Sequence, residues 1–308
     1  MKACILGHSG MVGSALMRKL GNLRHADVLI DCGDLRDQRH TRELVAGLLN
    51  LGATHIFLCA AKVGGIQANL SYPAEFIEDN LRIELNVIEM ARRCDARLVY
   101  FGSSCIYPRD AQQPIPEEAL MTGPLEPSNE PYAIAKIAGI KMLQAYEKQY
   151  GMKSLILMPC NLYGPGDNFD LETGHVLPSL IRRFVEAKES GAESVTLWGT
   201  GVARREFLHV DDLAEAAVYL AESGVTGMVN VGKGTDQTIG ALANMIRLVV
   251  GYTGLIGYDP NKPDGTPRKL LDISRLRQCM TWTPRTVREG IEETLAWYLQ
   301  SLKQPCMV

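Results

Sequence analysis

Basic stretches are missing from this chain, and so are long apolar ones. Lysine and arginine number 32 against 35 acidic residues, for a net charge of −3, and no cluster of cations accumulates along the 308 residues. Nucleic acid therefore finds no electrostatic footprint and is excluded as a partner. The longest uninterrupted apolar runs, such as Ile56 to Ala61, cover six residues, far below the ~20 that cross a bilayer. The N-terminus holds one lysine, the apolar run Ala3 to Leu6 and then glycines. That is too brief for a secretory signal, so a cytoplasmic location without a membrane partner is expected. Close cysteine spacings are absent too. Of the eight cysteines no two lie nearer than 11 residues and no C-x-x-C occurs, so neither a structural zinc nor any other metal site is expected. Several stand inside apolar runs, where a reduced thiol behaves as a small hydrophobe, and no disulfide framework is indicated. Internal repeats and low-complexity segments are lacking.

What is present suits a globular core: 46% hydrophobic and 22% charged residues, in a length that fits one large domain or two ordinary ones. Short apolar runs at Lys2–Leu6, Val28–Ile30, Ile56–Cys59, Leu98–Phe101 and Ser154–Met158 read as buried strands. Between them, the stretches through Leu20, Glu43–Leu51, Phe76–Arg92 and Pro131–Tyr150 carry helical periodicity. This alternation predicts an α/β fold with a doubly wound parallel sheet. A loop rich in proline and glutamate, Tyr107 to Glu130, leads into the helix at Pro131. Beyond residue 158 turn signals crowd together at Gly164-Pro-Gly166, Thr200-Gly201 and Lys262-Pro-Asp-Gly265, and Asp211 and Asp212 read as caps of a helix to Glu222. The expected organisation is a dinucleotide-binding domain of residues 1–164 plus about 206–231. A smaller, irregular α/β substrate domain would take about 165–205 plus 232–308.

Gly7-x-x-Gly10-x-x-Gly13 lies between a strand and a helix. Gly7 permits the tight turn, Gly10 lets a pyrophosphate approach the backbone, and Gly13 allows close helix packing. Asp31 ends the second strand, where a carboxylate accepts the hydroxyls of an adenosine ribose. Tyr132 and Lys136 stand four residues apart, hence on one helix face. The cation favours phenolate, so Tyr132 is expected to act as acid or base nearer neutrality than a free tyrosine. Ser103 follows the fourth strand and can hydrogen-bond the same substrate oxygen, a role Ser104 could share. Among the histidines, His209 fits a structural place before Asp211, while His8, His25, His40 and His55 belong to no motif.

The glycine turn, Ser103 and Tyr132-x-x-x-Lys136 together resemble the extended short-chain dehydrogenase/reductase family, with its Rossmann sheet. Longer strings are similar to its branch of GDP-keto-sugar epimerase-reductases. They include Ala60-Ala-Lys-Val-Gly-Gly-Ile66, Gly102-Ser-Ser-Cys-Ile-Tyr-Pro108, Asn161-Leu-Tyr-Gly-Pro165, Arg205-Glu-Phe-Leu-His-Val-Asp-Asp212 and Lys262-Pro-Asp-Gly-Thr-Pro-Arg-Lys-Leu-Leu-Asp272. The resemblance implies an enzyme that epimerises GDP-4-keto-6-deoxy-D-mannose at C3 and C5, then reduces its C4 ketone to give GDP-L-fucose. It implies Cys105 as base and His175 as acid for epimerisation, groups that titrate near enough to neutrality to exchange protons. Tyr132 would donate to the C4 oxygen, Lys136 would hold the nicotinamide ribose, and Ser103 would orient the carbonyl. Met11, Val12, Ala60, Pro159, Asn161, Leu162 and His175 join the implied cofactor-binding set. Arg183, Trp198, Arg205 and Asp264 stand at implied nucleotide-sugar contacts, arginine suiting a diphosphate. A homodimer built on the helices near Phe76–Arg92 and Tyr132 is implied as well.

Two positions depart from the family. Members commonly carry arginine in the glycine turn and after the second strand, for the 2′-phosphate of NADP(H); here stand Ser9 and Asp31-Cys-Gly33, with Arg36 the nearest remaining cation. Asp31 and Ser9 therefore favour NAD(H), against the NADP(H) of the resemblance. Alternatives are the same chemistry on another GDP-4-keto sugar such as a heptose, and a dinucleotide-binding regulator without turnover. The joint presence of Ser103, Cys105, Tyr132, Lys136 and His175 argues against the regulator, which needs no such set.

Overall fold

Short strands rich in Ile, Leu, Val and Phe alternate with longer helices in the first half of the computed structural model, which describes residues 1–23, 26–262 and 264–303. His25, Pro263 of the expected turn and Cys306 lie outside the described residues. In chain order come β1 (Lys2–Leu6), α1 (Met11–Gly21), β2 (Asp27–Asp31), α2 (Gln38–Leu51), β3 (His55–Leu58), α3 (Ile66–Ser71), α4 (Pro73–Arg93) and β4 (Arg97–Phe101). After the long loop follow α5 (Glu130–Tyr150), β5 (Ser154–Pro159), β6 (Asn161–Tyr163), α6 (Val176–Ser190) and β7 (Ser194–Trp198). Next are β8 (Arg204–Arg205), β9 (Phe207–His209), α7 (Val210–Glu222), β10 (Gly227–Val231) and β11 (Gln237–Thr238). The chain then forms α8 (Ile239–Val250), β12 (Leu255–Asp259), β13 (Arg268–Lys269), α9 (Ser274–Cys279) and α10 (Val287–Ser301).

Six strands form one parallel sheet in the order β10-β5-β4-β3-β1-β2. Strands β1, β3, β4 and β5 are buried on both faces, as their continuous apolar runs demand, whereas β2, expected to be buried, is the sheet's edge and is half exposed, Ile30 at 50%. The order reverses between β1 and β3, so a crevice opens at their carboxyl ends, where ligands bind in doubly wound sheets. Short parallel and antiparallel pairs, β7 with β12 and β11-β8-β13, lie outside this sheet.

Local chemistry fixes the helix ends. Asp37 accepts the Arg39 N–H and starts α2 earlier than the apolar periodicity from Glu43 suggested. Pro73 and Pro131 each sit in a first turn, where the missing N–H costs nothing, and Gly151 closes α5 in the left-handed region. One expectation is corrected: Asp211 and Asp212 do not cap α7. They lie in its first turn, and the cap is His209, whose Nδ1 accepts the Asp211 N–H at 3.3 Å. An imidazole buried against the helix end reaches that amide, leaving both carboxylates to the positive end of the helix dipole.

Two apolar clusters result. The larger surrounds the six-stranded sheet and takes in Leu271, Ile273 and Leu276. The smaller joins Leu177, Ile181 and Phe184 of α6 to Leu242 and Ile246 of α8 and Ile291 of α10. The loop between β4 and α5 is pinned by buried Asn230, which donates to the carbonyls of Ile115 (2.9 Å) and Asp272 (3.0 Å) and accepts from the Tyr107 hydroxyl (2.6 Å). Among the described residues no helix is long and apolar enough to cross a membrane, and the described cysteines are free thiols.

The α7 cap makes stability depend on pH in two opposed ways. Burial, with Arg285 2.7 Å from its Nδ1, depresses the His209 imidazole to about 4. A depressed histidine contributes stability above its unfolded pKa of 6.5 and loses it as pH falls to about 4. Asp212 behaves oppositely: burial raises its carboxyl from 3.8 to about 6, against the pull of Arg285, so acidification over the same window relieves a cost. Between pH 6.5 and 4, His209→Asn is therefore expected to gain stability relative to the parent by roughly 1–3 kcal/mol. Asp212→Asn is expected to lose it. Thermal unfolding against pH checks both; curves parallel to the parent's would contradict the assignment.

Candidate active site

A cavity of about 1100 Å³ opens along the carboxyl ends of β1, β3, β4 and β5. At one end lies the turn after β1. Gly7 has φ +85°, and an added Cβ would sit 2.6 Å from the Ala60 amide nitrogen at the end of β3. A Cβ on Gly13 would overlap the Gly7 carbonyl oxygen and lie 2.7 Å from the His8 Cα. Gly10 differs: as N-cap of α1 it has ordinary extended backbone, and a Cβ there meets only the Gly7 oxygen at 3.6 Å. Gly7 and Gly13 are demanded by the protein itself, whereas Gly10 leaves a cradle facing the cavity at a helix N-terminus. Met11, Val12, Ala60, Pro159, Asn161 and Leu162 line the same cavity. A dinucleotide fits these residues: open amide donors for a pyrophosphate and a carboxylate, Asp31, at the far rim.

Asp31 is held at that rim by a residue without a sequence motif. His40 Nε2 lies 2.9 Å from Asp31 Oδ2, and the Gly33 N–H points at the same oxygen at 3.3 Å. Arg36 lines the cavity but is committed to carboxylates, pairing with Asp34 at 2.9 Å and Asp79 at 3.2 Å.

The reactive groups gather at the ends of β4 and α5. Ser103 caps the short turn Ser104–Ile106; its hydroxyl donates to Cys105 Sγ at 3.0 Å and accepts the Cys105 N–H at 3.3 Å. Burial pushes the Cys105 thiol up, opposed first by the Lys269 charge and then by the Ser103 hydroxyl. Burial also raises the Tyr132 phenol well above its usual value, with Cys105 and Glu84 adding to it. The expectation that Lys136 brings Tyr132 toward neutrality is thus corrected. The lysine faces Glu84, Nζ to Oε1 3.3 Å, so a carboxylate neutralises its field at the phenol. A raised phenol stays protonated, the form a proton donor needs. His175 is the N-cap residue of α6, half exposed, its Nδ1 3.9 Å from Asp167. Ser103, Cys105, Tyr132, Lys136 and His175 all line the one cavity, as does Ser104.

The four expected nucleotide-sugar contacts divide. Arg205 lines the cavity, and burial lowers its guanidinium. Arg183 on α6, Trp198 and Asp264 are not among the lining residues. Trp198 is 63% exposed, with the Lys262 ammonium 5.2 Å from its ring centroid. Asp264 spends both oxygens on the turn at Thr200, accepting its N–H and its hydroxyl at 2.7 Å each. Lys269 was missed from the sequence although it stands in a quoted string. It pairs in register with Arg205 through β13 and β8, and burial depresses its ammonium beside Cys105. The grouping of His209, Asp211 and Glu293, whose donor atoms could converge on a cation, is filled by Arg285, 2.7 Å from both His209 and Glu293.

Comparison with known proteins agrees with this geometry. Residues 3–232 match the family model described as the NAD dependent epimerase/dehydratase family. A relative from Oryza sativa subsp. japonica, "Probable GDP-L-fucose synthase 1", is 49% identical over 98% of this chain and 93% of its own. "GDP-L-fucose synthase" of Escherichia coli strain K12 is 45% identical over 96% of each chain. Among solved structures, a "gdp-l-fucose synthetase from Naegleria fowleri bound to NADP" superposes with a TM-score of 0.87, at 26% identity, covering 98% of this chain and 94% of the other.

The contrast between glycines gives a direct test. Gly10→Ala is expected to leave the melting temperature of the protein within about 2 °C of the parent while weakening binding of the reduced dinucleotide tenfold or more. Gly13→Ala should cost stability outright. Calorimetry and cofactor fluorescence separate the two; undiminished binding by Gly10→Ala would show that the cradle holds no pyrophosphate.

Proposed function

Because the chain belongs to the NAD dependent epimerase/dehydratase family, we propose that it converts GDP-4-keto-6-deoxy-D-mannose to GDP-L-fucose, by epimerisation at C3 and C5 followed by reduction at C4. One observation carries this reading: a single cavity holds a thiol, an imidazole, a phenol and a buried lysine beside a dinucleotide cradle. The relatives named GDP-L-fucose synthase, at 49% and 45% identity over nearly the whole chain, support the choice of sugar.

The C4 ketone acidifies the hydrogens on C3 and C5. Cys105 as thiolate removes each proton, the Lys269 charge and, less strongly, Lys136 opposing the burial that raises the thiol. His175, reaching the cavity from the start of α6, returns a proton to the opposite face. Ser103 donates to the carbonyl oxygen, and Tyr132 delivers a proton to that oxygen as the ketone becomes an alcohol. A nicotinamide cofactor, held by Gly7 to Gly13, Asp31, Ala60 and the Pro159–Leu162 segment, supplies the hydride when bound. Arg205 and Lys269 provide positive charge for the diphosphate-bearing substrate. The reading includes a homodimer through α4 and α5, whose Leu85 and Ile134 present exposed apolar side chains.

Two half-reactions on different residues should come apart by mutation. In Cys105→Ala, incorporation of solvent deuterium at C3 and C5 is expected to fall at least 100-fold, while the reduced cofactor still binds. In Tyr132→Phe the exchange persists and reduction of the ketone falls by a similar factor. Mass spectrometry of the recovered sugar and loss of cofactor absorbance follow each step. Parent-rate exchange in Cys105→Ala sinks the base assignment.

Cofactor preference follows from the rim. A 2′-phosphate brings about two negative charges to Asp31, and the nearest guanidinium, Arg36, is bound to Asp34 and Asp79. Like charges a few ångströms apart cost on the order of 1 kcal/mol, roughly fivefold in affinity. NADH is accordingly expected to serve at least as well as NADPH. Asp31→Arg should move the ratio of kcat/KM values toward NADPH by roughly fivefold or more. A parent that strongly prefers NADPH, or a ratio indifferent to Asp31→Arg, would remove Asp31 from the ribose.

A further inference from the structure

Behind the active-site lysine lies a buried carboxylate that none of the chemistry above uses. Lys136 on α5 and Glu84 on α4 are each 2% exposed, with Nζ and Oε1 3.3 Å apart. Tyr100 of β4 completes the group. Its hydroxyl donates to Glu84 Oε1 at 2.7 Å, lies 3.2 Å from the Lys136 carbonyl, and its ring centroid is 4.7 Å from Nζ. Gly139 makes room for the carboxylate: an added Cβ would stand 2.6 Å from Oε2 and 2.8 Å from the Tyr100 hydroxyl. Oε2 itself is buried without a well-aligned donor, the Gly139 backbone amide being the group that approaches the carboxylate there.

A carboxylate this buried is expensive, and packing alone would be served as well by an apolar side chain of that size. What requires the negative charge is the lysine. Cys59 just past β3, Tyr100, Cys105 and Tyr132 also face the pair, and burial raises all four, so none is a standing counter-charge; burial raises the Glu84 carboxyl too, but the Lys136 charge and then the Tyr100 hydroxyl oppose it. Glu84 is the one carboxylate within ion-pair distance of Lys136 among the described residues. We propose that Glu84 is a positioning residue for the reductive step, the counter-ion that keeps Lys136 charged and fixed one helical turn from Tyr132. The inference rests on the function proposed above for its consequence, though not for its geometry. Without Glu84 an ammonium so buried would lose its proton more readily.

The test follows the lysine itself in protein labelled with [¹⁵N]lysine, Lys136→Met assigning the Nζ resonance. Glu84→Gln keeps the shape and an acceptor but removes the charge. Its Nζ deprotonation midpoint is expected to fall by about one pH unit or more, and Glu84→Asp restores most of the loss. The high-pH limb of ketone reduction should fall in step; deuterium exchange at C3 and C5, where Lys269 is the larger charge acting on Cys105, should fall less. Tyr100→Phe keeps both charges and removes the donor to Oε1. The low-pH inflection of the Nζ resonance, which reports protonation of Glu84, then moves up. An Nζ midpoint unchanged in Glu84→Gln overturns the proposal; should that variant not fold, a parent Nζ resonance without any low-pH inflection, insensitive to the Glu84 charge, does the same. The titration uses no sugar. A parent inactive on the keto sugar but with Nζ responding as stated would refute the proposed function and leave the role of Glu84 standing.

Discussion

The contact between the turn after β1 and the end of β3 sets the geometry of everything else around the cavity. Gly7 takes a left-handed conformation because its backbone runs against Ala60, closer than any side chain allows. Gly13 lets the first turn of α1 close over the Gly7 carbonyl. With α1 drawn in this far, its N-terminal amides look along the carboxyl ends of the sheet. The strand order reverses between β1 and β3 at this same point. The crevice, the cradle at Gly10 and the rim at Asp31 are consequences of one close backbone approach. Reactive groups from β4, α5 and α6 then need only point toward it.

Charge inside the cavity is arranged so that no group acts alone. Three cations, Lys136, Arg205 and Lys269, are largely buried, a costly arrangement unless opposite charge is near. Lys136 has Glu84. Lys269 and Arg205 meet in register through two short strands, and their charges face Cys105 and Glu126. Burial lowers both, so a negative charge brought into the cavity gains two desolvated cations. An oxygen or sulfur that becomes anionic during reaction meets charge already in place.

How much of this was legible in the sequence depends on the range of the interaction. Five of the six parallel strands, the glycine turn and the pair Tyr132 and Lys136 are written in local spacing, and the structure places them as spacing implied; the sixth, β10, is not among the expected strands. Glu84, Lys269 and His40 were not legible, because each matters through a partner on another element: α4 against α5, β13 against β8, α2 against β2. His40 sits over Gly33, where a Cβ would overlap its ring, a packing relation no spacing rule reports. The cap of α7 failed for a related reason. Asp211 and Asp212 are good cap residues by type, but the imidazole before them already reaches the free amide. The sheet also placed Arg205 in the cavity while the turn at Thr200 claimed Asp264, a competition between two polar groups that composition cannot decide.

Two proton chemistries sharing one cavity need an order, and the electrostatics supplies it. Cys105 and Tyr132 are both buried, and the negative charge of Cys105 raises the phenol. Thiolate and phenolate therefore oppose each other. In the proposed reaction, a Cys105 thiolate exchanging protons at carbon would make Tyr132 hold its own proton more tightly. Once the thiol is protonated, that restraint lifts, and a C4 oxygen gaining negative charge competes for the phenol proton. Ser103 links the two states, its hydroxyl directed at Cys105 Sγ in the structure and free to turn to a carbonyl oxygen when the sulfur carries its own proton. The separation rests on a low-dielectric cavity in which one negative charge is easily held and two are not.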